Sequence, residues 1–290
     1  FEVDGIEDGG MIEYLTRKKK EGRFPVYQTT ERPDRAAQAI LEGRVVLLTD
    51  NSPEALIFPA TLNSLFQTAD DYYRNERIVT FLRLIRYVAA FLALALPGLY
   101  VAAATFHPQL LPGNLIRSMA EARSGVPFPT AAEVLLMELS FELLREAGLR
   151  MPGPAGNTIG IVGGLIVGQA AVSANLVSPI TVTVAALTAL GSFSIPNEEL
   201  SEVFRLWKYG ILLLGSCFGI LGVMLGCFLL LMLMAEQESY GIPWLYPYVG
   251  GNLNERADEK DSMFLAAARK RKRRPIFAKW GNRIRFRRKS

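Results

Sequence analysis

Residues 156–168 read GNTIGIVGGLIVG, with Gly156, Gly160, Gly164 and Gly168 four apart in an otherwise apolar run. Two chemistries use glycine this way. Near a strand-to-helix turn, glycines let the backbone approach a phosphate. At every fourth position of an apolar helix, they make one smooth face against which a second helix packs. No strand precedes this run, no Lys-Ser or Lys-Thr follows it, and no acidic residue stands at dinucleotide spacing. The glycines therefore read as a packing face in a membrane segment, a device repeated at Gly215, Gly219, Gly222 and Gly226.

The rest of the chain supports a membrane setting. Of 290 residues, 50% are hydrophobic and 21% charged, so the two characters must be segregated along the sequence. Residues 269–290 hold twelve Lys and Arg and no acid, which leaves 20 basic against 28 acidic residues elsewhere. The formal charge of +4 is thus a basic tail on an acidic body. The chain opens at Phe1 without a leader, which reads as a piece lacking its N-terminal part. Cys217 and Cys227 share one apolar segment at a spacing that suits neither a disulfide nor a metal.

Residues 1–77 read as the end of a soluble cytoplasmic α/β domain. RPDRAAQAILEG is a short helix with Gly43 as its stop, and FPVYQTT, RVVLLTD and EALIFPA are strands. Residues 78–248 read as a transmembrane domain, with membrane-spanning helices near 78–106, 157–174, 177–195 and 203–235. Arg83 and Arg86, in the first turns of the first span, are expected to reach back to headgroups. Four crossings place both termini on one side, and the basic residues at each end argue for the cytoplasm, although Arg205 and Lys208 count against that orientation. Residues 249–290 form a basic cytoplasmic tail that suggests anionic membrane lipids rather than nucleic acid, with Ile276, Phe277 and Trp280 meeting the membrane surface. The fold class is a mainly α-helical polytopic membrane protein with a small α/β segment.

Three features bear on function. Thr130 and Glu133 have capping-box spacing and Gly148 fits a helix end, so residues 131–147 are expected to form a bounded helix. Its Glu138, Glu142 and Glu146 share a face with Arg145. This is either an amphipathic helix at the membrane boundary with a solvated acidic face, or an acidic ring around a cation pathway in an assembly. In NLVSPITVTVAALTALGSF, Asn175, Ser178, Thr181, Ala185, Thr188 and Ser192 step by three and four, with Val182 on the border. Such a stripe lines a pore or glues helices together, and both readings stand. His107, the single histidine, stands in a proline-rich loop and reads as a polar loop residue, with pH sensing as the alternative. No nucleophile, metal set or cofactor motif accompanies these groups, so the chain does not read as an enzyme.

GVPFPTAAEVLLMELSFELLREAGLRMP, GIVGGLIVGQAAVSANLVSP and LTALGSFSIPN, in this order, resemble the A-subunit family of bacterial spore germinant receptors, the GerA family. TTERPDRAAQAILEGRVVLLTDNSPEALIFPAT and DDYYRNERIVTFLRLIRYVAAF extend the similarity, which covers roughly residues 24–248. The resemblance implies a protein of the spore inner membrane that works with a transporter-like B subunit and a lipoprotein C subunit. It also implies a homo-oligomer, a pentamer, that forms a nutrient-gated cation channel and starts germination. A paralogous branch, a channel-like partner of dipicolinic acid release, stays open, as does a non-conducting scaffold. A secondary transporter would show internal repeats and broken helices, and the sequence has no convincing repeat.

Overall fold

The computed structural model describes residues 10–12, 24–50, 52–150, 154–249, 261–266 and 275–278, with the backbone alone at 154–162 and 165. The chain divides into two units. One contains Phe1–Tyr87, Ile195–Val203 and Leu231–Ser290, and the other Val88–Ser194 and Phe204–Leu230.

The first unit is built on a three-stranded antiparallel sheet of β1 (Gln28–Thr30), β2 (Val45–Leu48) and β3 (Ala55–Phe58), in the order β1-β3-β2. Ile57 sits opposite both Gln28 and Val46. Helix α1 (Pro33–Glu42) connects β1 to β2. Pro33 opens it, and Gly43, at φ 89°, closes it in the left-handed conformation that glycine adopts without a Cβ penalty. The short helix α2 (Leu62–Phe66) begins with a Thr61–Ser64 capping box. The core of this unit includes Phe24, Val26, Ile57 and Leu65 and a fully buried Trp244, which packs on Phe24 and whose Nε1 donates to the Pro25 carbonyl at 2.8 Å. Burying an indole requires such a partner. A two-residue ribbon, β4 (Glu238–Ser239) and β5 (Ile242–Pro243), brings Ser239 to the Val26 carbonyl at 2.7 Å.

Here the structure corrects the expectation for Arg83 and Arg86. Arg83 is 1% exposed; it donates to Asp71 and Asp261 at 3.0 Å each and to the Ser262 carbonyl at 2.7 Å. Arg86 makes two bonds of 2.9 Å to Asp71 and one of 3.1 Å to the Phe66 carbonyl. Neither side chain is directed at headgroups, because a carboxylate within reach binds a guanidinium in a paired, charge-assisted geometry. Two described pieces of the expected tail, 261–266 and 275–278, pack within the same unit. Asp261 accepts from Asn63 and Gln67 through its carbonyl, Phe277 stacks on Arg44, and Ala278 is 4% exposed. Trp280 lies outside the described residues.

The second unit is a helical bundle. It takes most of α3 (Glu76–Thr105), then α4 (Gly113–Arg123), α5 (Thr130–Arg150), α6 (Pro154–Ser173), α7 (Pro179–Phe193) and the middle of α8 (Glu198–Glu236). Contacts fix the directions. Gly191 of α7 packs on Ala89 and Ala93, while Thr181 lies 3.4 Å from the Tyr100 hydroxyl, so α7 runs antiparallel to α3. Glu133 meets Ser178 and Arg145 meets Ser192, so α5 and α7 run parallel. Gly164 faces Phe141 and Gly168 faces Val182, which threads α6 back between them.

The long apolar run at 203–235 is not one straight span. At Gly219 the backbone has φ 63° and ψ −144°, and the two arms fold back on each other. A Cβ on Gly226 would come 2.9 Å from Ile211, and one on Gly215 would come 2.9 Å from Val223. Residues 211 and 226 of a straight helix would stand about 22 Å apart. Among the described residues two helices, Glu76–Thr105 and Glu198–Glu236, are by length and composition long and apolar enough to cross a membrane, the second of them folded at Gly219, where four spans were expected. Residues 177–195 yield only the 15-residue Pro179–Phe193. Side chains such as Leu213, Leu221 and Phe228, each more than half exposed, give the hairpin an apolar outer face suited to hydrocarbon.

Candidate functional site

Helix α5 carries the polar chemistry of the bundle. Thr130 is its first residue rather than its cap, and the helix continues through Gly148 to Arg150, past the expected 131–147. Glu133, freed from a capping box, is 1% exposed. One oxygen accepts from Arg123 at 3.1 Å; the other accepts from the Ser178 amide at 2.9 Å and the Thr181 hydroxyl at 3.1 Å.

One to two turns further on, Glu138 is 2% exposed and accepts from Lys208 Nζ at 2.6 Å. Glu142 pairs with Arg205, and Arg145 donates to Ser192 Oγ at 2.7 Å while lying over the Phe193 ring. Glu146 is the most exposed of the three, paired with Arg150 at 2.6 Å, and Glu142 is partly exposed. The expected solvated acidic face is interrupted at Glu138. Glu138 points into the bundle and Glu142 lies at its edge, where Lys208 and Arg205 on α8 supply opposite charge at matching spacing. Those two cations, which sat awkwardly with the orientation expected for the chain, have their explanation here. Carboxylates and cations buried together are tolerated only when paired. Glu138 Oε1 has no hydrogen-bond partner among the described residues.

Apart from Asn175, the residues of the 175–192 stripe fall inside the bundle or at its edge. Ser178 caps α7 by accepting from the Thr181 amide at 3.3 Å. Thr181 is bonded to Glu133; Thr188 and Ser192 return their hydroxyls to the carbonyls of Val184 and Ala189. Ala185 is fully buried with Met137, Ala171 and Val177, and Val182 packs against this group at the edge. Asn175 is exposed at φ 53°, closing α6 as the Leu176 amide bonds the Ala171 carbonyl and its own amide bonds that of Val172. The outer face of α7 presents Thr183, Leu187, Leu190 and Phe193 instead.

Gly164 and Gly168 lie at helix contacts, and a Cβ there would come 3.3 Å from Phe141 and 3.2 Å from Val182. The packing of Gly156 and Gly160 lies outside the described residues. His107 stands against Gly219, at the turn of the α8 hairpin. The α5–α8 ion pairs were not anticipated, yet the signal was present: two acids four apart on one segment and two bases three apart on another, both in apolar surroundings. Among the described residues no group of three or more His, Cys, Asp and Glu is arranged to hold a metal.

An apolar bundle that buries paired charges describes a helical membrane protein. The chain belongs to the GerA family: the family described as Bacillus/Clostridium GerA spore germination protein matches residues 1–277. It is similar to the membrane protein YfkQ of Bacillus subtilis (strain 168), 41% identical over 92% of this chain and 51% of that protein. Spore germination protein A1 of the same organism is 40% identical over 85% of this chain and 51% of its own length. Spore germination protein GerQA of Bacillus cereus is 36% identical over 99% and 57%. The chain spans about half the length of the curated relatives it matches. No solved structure matches it.

Proposed function

We propose that the protein is an A subunit of a spore germinant receptor, which oligomerises as a pentamer in the spore inner membrane into a nutrient-gated cation channel. It works there with a transporter-like B subunit and a lipoprotein C subunit, both its termini are cytoplasmic, and membrane lipids surround the bundle. Family membership supports the germination role. The observation that carries the channel reading is the row of charges on α5, inside an otherwise apolar bundle: ionisable groups at membrane depth are costly and mark ion pathways. In this reading α7 forms the wall of the pathway. Its buried hydroxyls at Ser178, Thr181, Thr188 and Ser192 fix it to α5, and Val182 stands at its edge.

Burial of that stripe favours a second reading, a non-conducting scaffold in which the same hydroxyls only join helices. A channel-like partner of dipicolinic acid release is the remaining alternative within the family. Potassium efflux from liposomes holding the full-length protein with its partners separates these readings. A channel gives efflux that shifts when Val182 is replaced by Ala or Phe while assembly persists. A scaffold gives none, and Gly164→Leu then disrupts assembly without altering any conductance.

A further inference from the structure

The first unit holds an imbalance of buried charge that the proposed function does not use. Helix α1 places Arg35, Ala39 and Glu42 on one face, and the left-handed turn at Gly43 brings Arg44 beside it. Arg35 is 4% exposed and Arg44 8%. Arg35 uses one terminal nitrogen, donating to Gln28 Oε1 at 3.3 Å, while its Nε and Nη1 have no acceptor. Arg44 Nε stands 3.7 Å from Glu42, too far for a hydrogen bond, and its Nε and Nη1 are likewise without acceptors. Glu42 turns its other oxygen to Gln38 at 3.0 Å.

Neighbouring carboxylates do not make up the difference. Asp71 is committed to Arg83 and Arg86, and Asp261 to Arg83. Among the described residues this leaves Glu42 facing two guanidiniums. The Arg44 guanidinium lies under the Phe277 ring, 4.4 Å from its centroid. Burial lowers its pKa to about 10, and the charge of Arg35 pushes the same way against Glu42. Buried donors lacking acceptors are rare in native proteins and mark the place of an absent ion or water.

We infer that Arg35 and Arg44 form a binding site for an oxyanion of the phosphate class, covered by the Pro275–Ala278 segment. On each arginine Nε and Nη1 lie on opposite edges, so one anion takes a single nitrogen from each guanidinium, and its charge offsets the excess that Glu42 leaves. A tetrahedral oxyanion presents separate oxygens to donors arriving from different directions, whereas a halide offers one acceptor point. The cover is tight, since a Cβ on Gly43 would come 2.5 Å from Ala278 Cα, and the four unpaired N–H atoms have no surface open to water. Entry of the anion therefore displaces residues 275–278. That segment is flanked in sequence by the basic runs of the tail, which draw anions to it.

The test is titration of the full-length protein in detergent with inorganic phosphate, at ionic strength held constant with sodium chloride. Saturable binding is expected, with a rise in the melting temperature of the sheet domain. Arg35→Gln and Arg44→Gln should each weaken binding about tenfold or more, and Arg74→Gln, outside the cluster, should leave it unchanged. Should either glutamine variant fail to fold, Phe277→Ala serves instead: it removes the cover and should change phosphate on- and off-rates. Short-chain phosphatidic acid identifies the source. Binding tighter than phosphate assigns a lipid headgroup, and equal binding assigns a free phosphate. Absence of saturable phosphate binding, or binding indifferent to both arginines and to Phe277, overturns the site.

Discussion

In the sheet unit two guanidiniums converge on one carboxylate: Arg83 and Arg86 together direct three hydrogen bonds at Asp71. In the helical unit acids and bases pair singly along α5, Glu138 with Lys208 and Glu142 with Arg205, and Glu138 keeps one oxygen without a partner. The first arrangement is over-determined, since removing one arginine leaves Asp71 held by the other. The second has no such reserve. A redundant network holds its element in place when one contact is lost, whereas single pairs release theirs one at a time.

The largest expected effect comes from removing the common acceptor. Asp71→Ala leaves two buried guanidiniums without their main partner and should cost about 4 kcal/mol. Urea unfolding followed by Trp244 fluorescence, with Trp207 and Trp280 replaced by Phe, reads this directly. Arg86→Met should cost clearly less than Asp71→Ala, and equal costs would contradict the redundancy. Acid probes the same network. Burial alone would raise the Asp71 carboxyl, but hydrogen bonds and charge from Arg86 and Arg83 outweigh it and hold it below the ordinary 3.8. Its contribution is then fully present above about pH 4 and lost as pH falls through the lowered value. The Asp71-dependent part of the stability should thus be flat from pH 7 to 5 and decline only in stronger acid. A decline centred near pH 6 would assign the network to other groups.

In the helical unit Lys208→Met should cost about 3 kcal/mol by stranding Glu138, and Lys208→Met with Glu138→Gln should recover most of it. Thermal unfolding in detergent supplies all four corners of that double-mutant cycle. A null result for Lys208→Met would mean that Glu138 has another partner. The hairpin offers a steric counterpart. A Cβ on Gly222 would run into the Leu214 carbonyl, whereas one on Gly210 meets nothing within 4 Å. Gly222→Leu should lose about 2 kcal/mol by overpacking, and Gly210→Ala should be neutral or gain up to about 1 kcal/mol. Similar outcomes at both positions would remove the close approach of the two arms.

Local signals were legible in the sequence where a single residue decides them. Gly43 stops α1, and the three strands lie within the stretches FPVYQTT, RVVLLTD and EALIFPA. What was not legible depends on distant partners. Arg83 reads as a snorkelling residue until Asp261, 178 positions away, is brought to it. Gly219 looks like its neighbours Gly215 and Gly222, because composition does not distinguish a glycine that packs from one that reverses the chain. Of the polar stripe, Thr181, Ala185, Thr188 and Ser192 are buried on α7, whereas Asn175 lies before that helix and is exposed. Period alone does not tell whether such a face meets water or another helix.

The smallest effect belongs to the most exposed acid of α5. Glu146 and Arg150 are 2.6 Å apart, but their side chains are 58% and 79% exposed, so water screens the pair and each long side chain loses freedom to make it. Glu146→Gln should change stability by about 0.3 kcal/mol, which 0.5 M salt should abolish. Beside Glu138→Gln alone, which leaves Lys208 unpaired within the bundle, this measures what position on the same helix does to the same chemistry. If Glu146→Gln instead impaired potassium efflux while stability held, the end of α5 would itself lie on the conducting path, and the acidic ring of an assembly would be the better account of that face.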